Sequence, residues 1–159
     1  MAESGIIHVK SCENDFLGAI YLNILVIDGM GGGFGRAIIE HIKTEVTGAI
    51  IMAVGTNSIA TSAMLKAGAS YGATGENAVI YNCAKADYII GVMGIMIINS
   101  MHGEVSAKMV EAISSSPAHK ILVPYDKCNV TVLGLVEKPM QAYISEIAKN
   151  LFDFLQNSE

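Results

Sequence analysis

The sequence has 159 residues, 52% apolar and 16% charged, with a formal net charge of −5. One domain with ample core-forming residues fits these values, and intrinsic disorder does not. An acidic chain without a basic cluster also excludes a generic nucleic-acid or anionic-membrane binder.

Residues 1–21 show no clear period and are read as an N-terminal extension, with residues 22–159 as a single α/β domain. Asn23–Asp28 is a continuous apolar run ending in an acid, the pattern of a parallel strand buried on both faces. Gly29–Gly35 holds five glycines in seven positions and reads as a turn. A helix follows, with Phe34, Ile38, Ile39, Ile42 and Val46 on one face. Ala49–Val54 is the second strand, ended by Gly55-Thr56-Asn57, with Thr56 or Asn57 as the cap of the next helix. Ile59, Ala60, Ala63, Met64 and Ala67 form the stripe of that helix, and Gly68 closes it. Gly72–Asn77 reads as a second glycine-rich turn, with Thr74 capping a short helix through Cys83.

Asp87–Val92 is the third strand. The apolar run Tyr88–Ile98 is interrupted by Gly91 and Gly94 and falls short of the roughly 18 residues of a membrane span, so it reads as a buried strand and turn. Gly103 opens a helix with Val105, Met109, Ala112 and Ile113 inside and a Glu104–Lys108 pair outside. Lys120–Tyr125 is the fourth strand and Val130–Leu135 the fifth. Their four-residue connection is too short for a parallel crossover, so this last pair is expected to be antiparallel. The final helix carries Ile144, Ile147, Ala148, Leu151, Phe152 and Leu155. The whole is a doubly wound, mostly parallel α/β sheet with one antiparallel strand near the C-terminus.

Such sheets bind ligands beyond the carboxyl ends of their strands. The segments to inspect are therefore Asp28–Arg36, Gly55–Asn57, Gly94–Glu104 and Asp126–Asn129. Gly29, Gly31, Gly32, Gly33 and Gly35 stand between a strand and a helix, where free N–H groups and the helix dipole favour an anion. Arg36, the only arginine, sits at the helix start and can pair with phosphate. An ATP-type loop is not met, because Arg36-Ala37 stand where Lys-Ser/Thr is required. The spacing G-x-G-x-x-G also fails, with Phe34 at its third glycine. Gly29, Gly33 and Gly35 do fit G-x-x-x-G-x-G, which resembles the cofactor loop of short-chain dehydrogenases over about fifteen residues. Tyr81 and Lys85 have the Tyr-x-x-x-Lys spacing of those enzymes but come too early in the chain, and are read as chance. No acid stands between Glu45 and Glu76 to hold the ribose of NAD, which leaves NADP, a mononucleotide or another small phosphorylated ligand.

Over a longer span the chain resembles an uncharacterised bacterial family, domain-of-unknown-function family 3842. The segments that carry this are Val26–Gly33, Gly55–Met64, Gly72–Ala78, Asn99–Met101 with Gly103-Glu104, and Cys128–Val130. The resemblance implies a small cytosolic Rossmann-like domain without an assigned activity.

Asp28 can serve as a magnesium ligand or base, but such a residue more often accepts hydrogen bonds from its own loop. Thr74, Glu76 and Asn77 join the candidate site at the second glycine-rich turn, where a glutamate also simply complements a helix dipole. His102 with Glu104 is a possible acid–base pair, and Cys128 a possible nucleophile lacking a visible base. Met93, Met96 and Met101 read as core or subunit interface. Cys12, Cys83 and Cys128 have no metal-ligand spacing, and reduced thiols together with the lack of a basic-then-apolar leader point to the cytoplasm.

The reading is thus a protein binding a nucleotide or phosphorylated small molecule at Gly29–Arg36 with Thr56 and Asn57. A non-catalytic regulatory or assembly module and a small NADP-dependent oxidoreductase are the alternatives. The mean hydropathy of +0.45 also predicts a homodimer or higher homo-oligomer, through Val92–Met101 and the last helix.

Overall fold

A computed structural model describes residues 7–8, 22–125 and 129–157. Seven strands occur among these residues. β1 (Ile7–His8) pairs in parallel with β3 (Val46–Thr47), apart from the main sheet. The main sheet contains β2 (Leu22–Asp28), β4 (Ala49–Gly55), β5 (Tyr71–Thr74), β6 (Tyr88–Val92) and β7 (His119–Val123). Their order is β5-β4-β2-β6-β7 and every pairing is parallel. The two central strands are the most apolar: every residue of β6 is buried, and every residue of β2 except Asn23.

The helices are α1 (Gly33–Glu45), α2 (Ser58–Lys66), α3 (Glu76–Cys83), α4 (Ser100–Gly103), α5 (Ala107–Ser115) and α6 (Met140–Asn157), with a 3₁₀ turn at Met93–Met96. The chain steps outward from β2 to β5, and α3 then carries it back across the sheet to β6. Right-handed crossovers in opposite directions lie on opposite faces. Accordingly α1 packs with α2 and α6, and α3 with α5. Ile38, Ile39 and Ile42 of α1 are at most 1% exposed, and each such side chain contributes roughly 1.5–3 kcal/mol of burial.

Register levels the functional end of the sheet. Asp28 pairs with Gly55, and Gly55 with Thr74, so three strands finish on one line. The order reverses between β2 and β6, which puts the switch-point crevice between the loops that follow them.

Four expectations need correction. Val130–Leu135 forms no strand, and among the described residues the sheet has no antiparallel member. Its apolar residues look like a strand in sequence, but Leu133 is 92% exposed and Gly134, at φ +81°, breaks the extension. Conversely Tyr71–Thr74 is an edge strand that its glycine and short length disguised as a turn. Gly103, at φ +91°, opens no helix; α5 starts at Ala107, capped by Ser106 Oγ accepting the Met109 N–H. Lys108 therefore faces Glu76 at 3.9 Å, and Glu104 turns elsewhere. Leu151 of the last helix is fully buried within the domain.

Candidate functional site

The site begins with Asp28, the last residue of β2, whose side chain is turned inward and 5% exposed. One carboxylate oxygen accepts the Gly29 N–H at 2.8 Å and the other the Gly35 N–H at 2.7 Å. Burial pushes the Asp28 carboxyl above its ordinary value, against the pull of the N–H bonds from Gly35, Gly29 and Phe34, and the charge of Glu104 adds to the rise. Asp28 is thus the anchor of the glycine loop, the structural role weighed for it in the sequence.

Close packing explains the loop's composition. A Cβ on Gly35 would lie 2.5 Å from Met64 Sδ and 2.9 Å from Asp28 Cβ. Gly32, the α1 N-cap, has φ +69° and backs onto the Ala60 backbone, where a Cβ would come within 2.6 Å. Its N–H reaches the Gly29 carbonyl and its own carbonyl accepts from Arg36. Gly31 and Gly33 differ: a Cβ on either would meet nothing within 4 Å. Their N–H groups make no hydrogen bond among the described residues.

A second set of groups converges from three loops. The Glu104 carboxylate accepts the Met30 N–H at 3.0 Å, the Asn57 side-chain amide at 3.0 Å to each oxygen, and the Thr56 hydroxyl. Asn57 also donates to the Met30 carbonyl at 2.9 Å, while its Oδ1 caps α2 by accepting the Ala60 N–H. Burial raises the Glu104 carboxyl, but bonds from Thr56, Met30 and Asn57 and the nearby His102 outweigh it and hold it below its ordinary value.

The backbone that delivers Glu104 is unusual. Asn99, Met101, His102 and Gly103 have φ of 63°, 54°, 59° and 91°. Left-handed conformations cost non-glycine residues on the order of 1 kcal/mol or more each, and such strain clusters at functional sites. The turn is held by Asn99 N–H to the Val105 carbonyl at 2.8 Å and by Ser100 Oγ to the Gly94 carbonyl. It presses on the glycine loop: a Cβ on Gly29 would lie 2.4 Å from Met101 Sδ and 2.9 Å from Glu104 Oε2.

The remaining expected residues separate from this cluster. Arg36 pairs with Glu40 at 2.8 Å along the exposed face of α1. Thr74 shares a 2.7 Å hydrogen bond with Thr61, and α3 is capped by Gly75 instead. Glu76 accepts the Ser106 hydroxyl at 2.6 Å, joining α3 to α5, and Asn77 is exposed. Tyr81 does bond Lys85, whose hydrogen bond lowers the phenol's pKa. Lys85, however, lines a cavity of about 410 Å³ with Asn23, near the start of β2 and the opposite end of the sheet from Asp28. Cys128 lies outside the described residues. No group of three His, Cys, Asp or Glu able to hold a metal occurs among the described residues, and no described helix is long and apolar enough to cross a membrane.

Sequence reasoning paired Glu104 with His102 or Lys108; His102 acts on it by charge, but its hydrogen-bond partners are Met30, Thr56 and Asn57. The available signal was Ser106, whose capping role starts the helix after Glu104 and frees it to turn into the crest. Met101, in van der Waals conflict with any side chain at position 29, was read only as core or interface.

The family model for a domain of unknown function, DUF3842, matches residues 23–156, and the chain belongs to that family. No curated protein and no solved structure matches it.

Proposed function

We propose that this DUF3842 member binds a nucleotide or another phosphorylated small molecule at the crest of its sheet. The observation that carries this reading is that the Gly31 and Gly33 N–H groups donate no hydrogen bond among the described residues. A Cβ at either position would meet open space, at the start of a 13-residue helix and beside the point where strand order reverses. Helix N-termini with free N–H groups attract anions through both hydrogen bonds and the dipole. Arg36, exposed on the first turn, is within the same helix end and can exchange Glu40 for a phosphate oxygen. β4 ends at Gly55 and is followed by Thr56-Asn57 without an acid, which favours NADP or a mononucleotide over NAD.

Calorimetric titration with NADP(H), NAD(H), FMN, ATP, AMP and sugar phosphates tests the reading. Saturable binding of at least one, weakened about tenfold or more by Arg36→Ala, is the expected result. Absence of binding across the panel overturns it.

A non-catalytic regulatory or assembly module is the second reading. It is favoured by Asp28, which already takes the N–H groups of Gly29, Phe34 and Gly35 and so gives the loop a purely structural reason to exist. An oxidoreductase gains nothing from Tyr81 and Lys85, which lie away from the crest. A cytoplasmic homodimer or larger homo-oligomer belongs to the same proposal. Ile59 and Val136, 69% and 73% exposed, support it, and light scattering at high concentration tests it.

A further inference from the structure

The donors gathered on Glu104 have the composition of an anion site. A backbone N–H, a hydroxyl and a side-chain amide, from the loops after β2 and β4, meet at one carboxylate from a third loop. All three belong to the crest to which the proposed ligand would bind. We infer that Glu104 is a built-in competitor for that site, an autoinhibitory contact that an acidic ligand group must displace. The inference rests on the phosphoryl-ligand reading and adds its regulation.

Three features carry it. First, charge: Asp28 and Glu104 already feel one another, so an arriving phosphate is a third negative group in one small volume. Asp28 is buried and holds both ends of the loop, whereas Glu104 is partly exposed and held by side chains and one N–H. Glu104 is the group that leaves. Second, Asn99, Met101, His102 and Gly103 take left-handed conformations in the turn that delivers Glu104, so the contact is built at a cost in backbone strain. Third, Gly29 has a shape that serves this turn: its missing Cβ makes room for Met101, Thr56 and Glu104, while Gly31 and Gly33 face open space. The loop is therefore fitted to Glu104 at Gly29, and the Met30 N–H that Glu104 occupies adjoins the unpaired Gly31 N–H in the chain.

The test uses the full chain with inorganic phosphate and NADP⁺ as probes, read by the amide chemical shifts of Gly31 and Gly33. Glu104→Ala is expected to bind about tenfold or more tightly than the wild type. Glu104→Gln, which keeps an acceptor but no charge, is expected in between and serves if the alanine variant fails to fold. Hydrogen exchange at the Met30 amide should be slow in the free wild type and faster in Glu104→Ala. If the wild type binds a probe and removal of the Glu104 charge leaves affinity equal or lower, the competition is wrong while the site stands. If neither probe moves Gly31 or Gly33 in any of the proteins, the anion site itself is refuted and the competition with it.

Discussion

Asp28 Oδ2 accepts the Gly35 N–H at 2.7 Å, while its other oxygen accepts from Gly29, so one buried carboxylate closes both ends of a seven-residue turn. Removing it leaves Gly29, Phe34 and Gly35 N–H groups facing a cavity. Unsatisfied buried donors cost roughly 1–3 kcal/mol each, partly relieved by entering water. Asp28→Ala should therefore lower the unfolding free energy by about 2–4 kcal/mol in urea denaturation. A change under about 0.5 kcal/mol would show that the loop does not depend on this anchor.

Two glycines two positions apart should behave oppositely. Gly29→Ala puts a Cβ 2.6 Å from Thr56 Oγ1 and closer still to Met101 Sδ, so the turn at residues 99–104 must move. Overpacking of this kind costs roughly 1–3 kcal/mol, and hydrogen exchange across that turn should accelerate. Gly31→Ala meets no atom within 4 Å, and its φ lies outside the left-handed range. It should be neutral, or stabilising by up to about 1 kcal/mol through the unfolded chain. Equal midpoints for the two variants would contradict the packing.

The parallel α/β architecture, the buried faces and the anchoring role of Asp28 were legible, because they follow from local apolar period and from the chemistry of one residue beside five glycines. Phe34, Ile38, Ile39, Ile42 and Val46 are buried as their spacing requires. What the sequence concealed depends on distant partners. Val130–Leu135 has strand-like residues but no strand beside it, and pairing is what makes a strand. Glu104 is 74 residues from Met30 and 48 from Thr56, so nothing local shows that they share one site. Arg36 has an acid four residues on, and that ordinary helical pair holds it in the absence of a ligand.

The two crest carboxylates should act on stability in opposite directions with pH. Glu104 has a folded pKa below its ordinary 4.5. Its contribution is present above that value and is lost as pH falls through the folded pKa. Asp28 has a folded pKa above its ordinary 3.8. Its contribution is present below that value and is lost as pH rises through the folded pKa. Acid titration of unfolding should thus show Glu104→Gln losing less stability than the wild type on going below pH 4.5. Asp28→Asn should lie further below the wild type in acid than at neutral pH. Parallel curves for all three proteins would show that neither group is perturbed by folding.

Cys83 closes α3 beneath the sheet and should be chemically silent. Its side chain is 2% exposed, and burial pushes its thiol up to about 11, with only a small opposing pull from Lys120. Thiolate, not thiol, reacts with disulfide and alkylating reagents, so at pH 8 only roughly a thousandth of the residue is reactive, before access is considered. The site is also held from the other side, because Ser116 Oγ donates to the Cys83 carbonyl at 2.6 Å. In a chain carrying Cys12→Ser and Cys128→Ser, the remaining thiol should stay unmodified for hours under native conditions and react fully in denaturant. Its native-state labelling rate then reports the opening of α3 and should rise with urea. Labelling of the native protein at a rate near that of the unfolded chain would mean that α3 does not seal this side of the core.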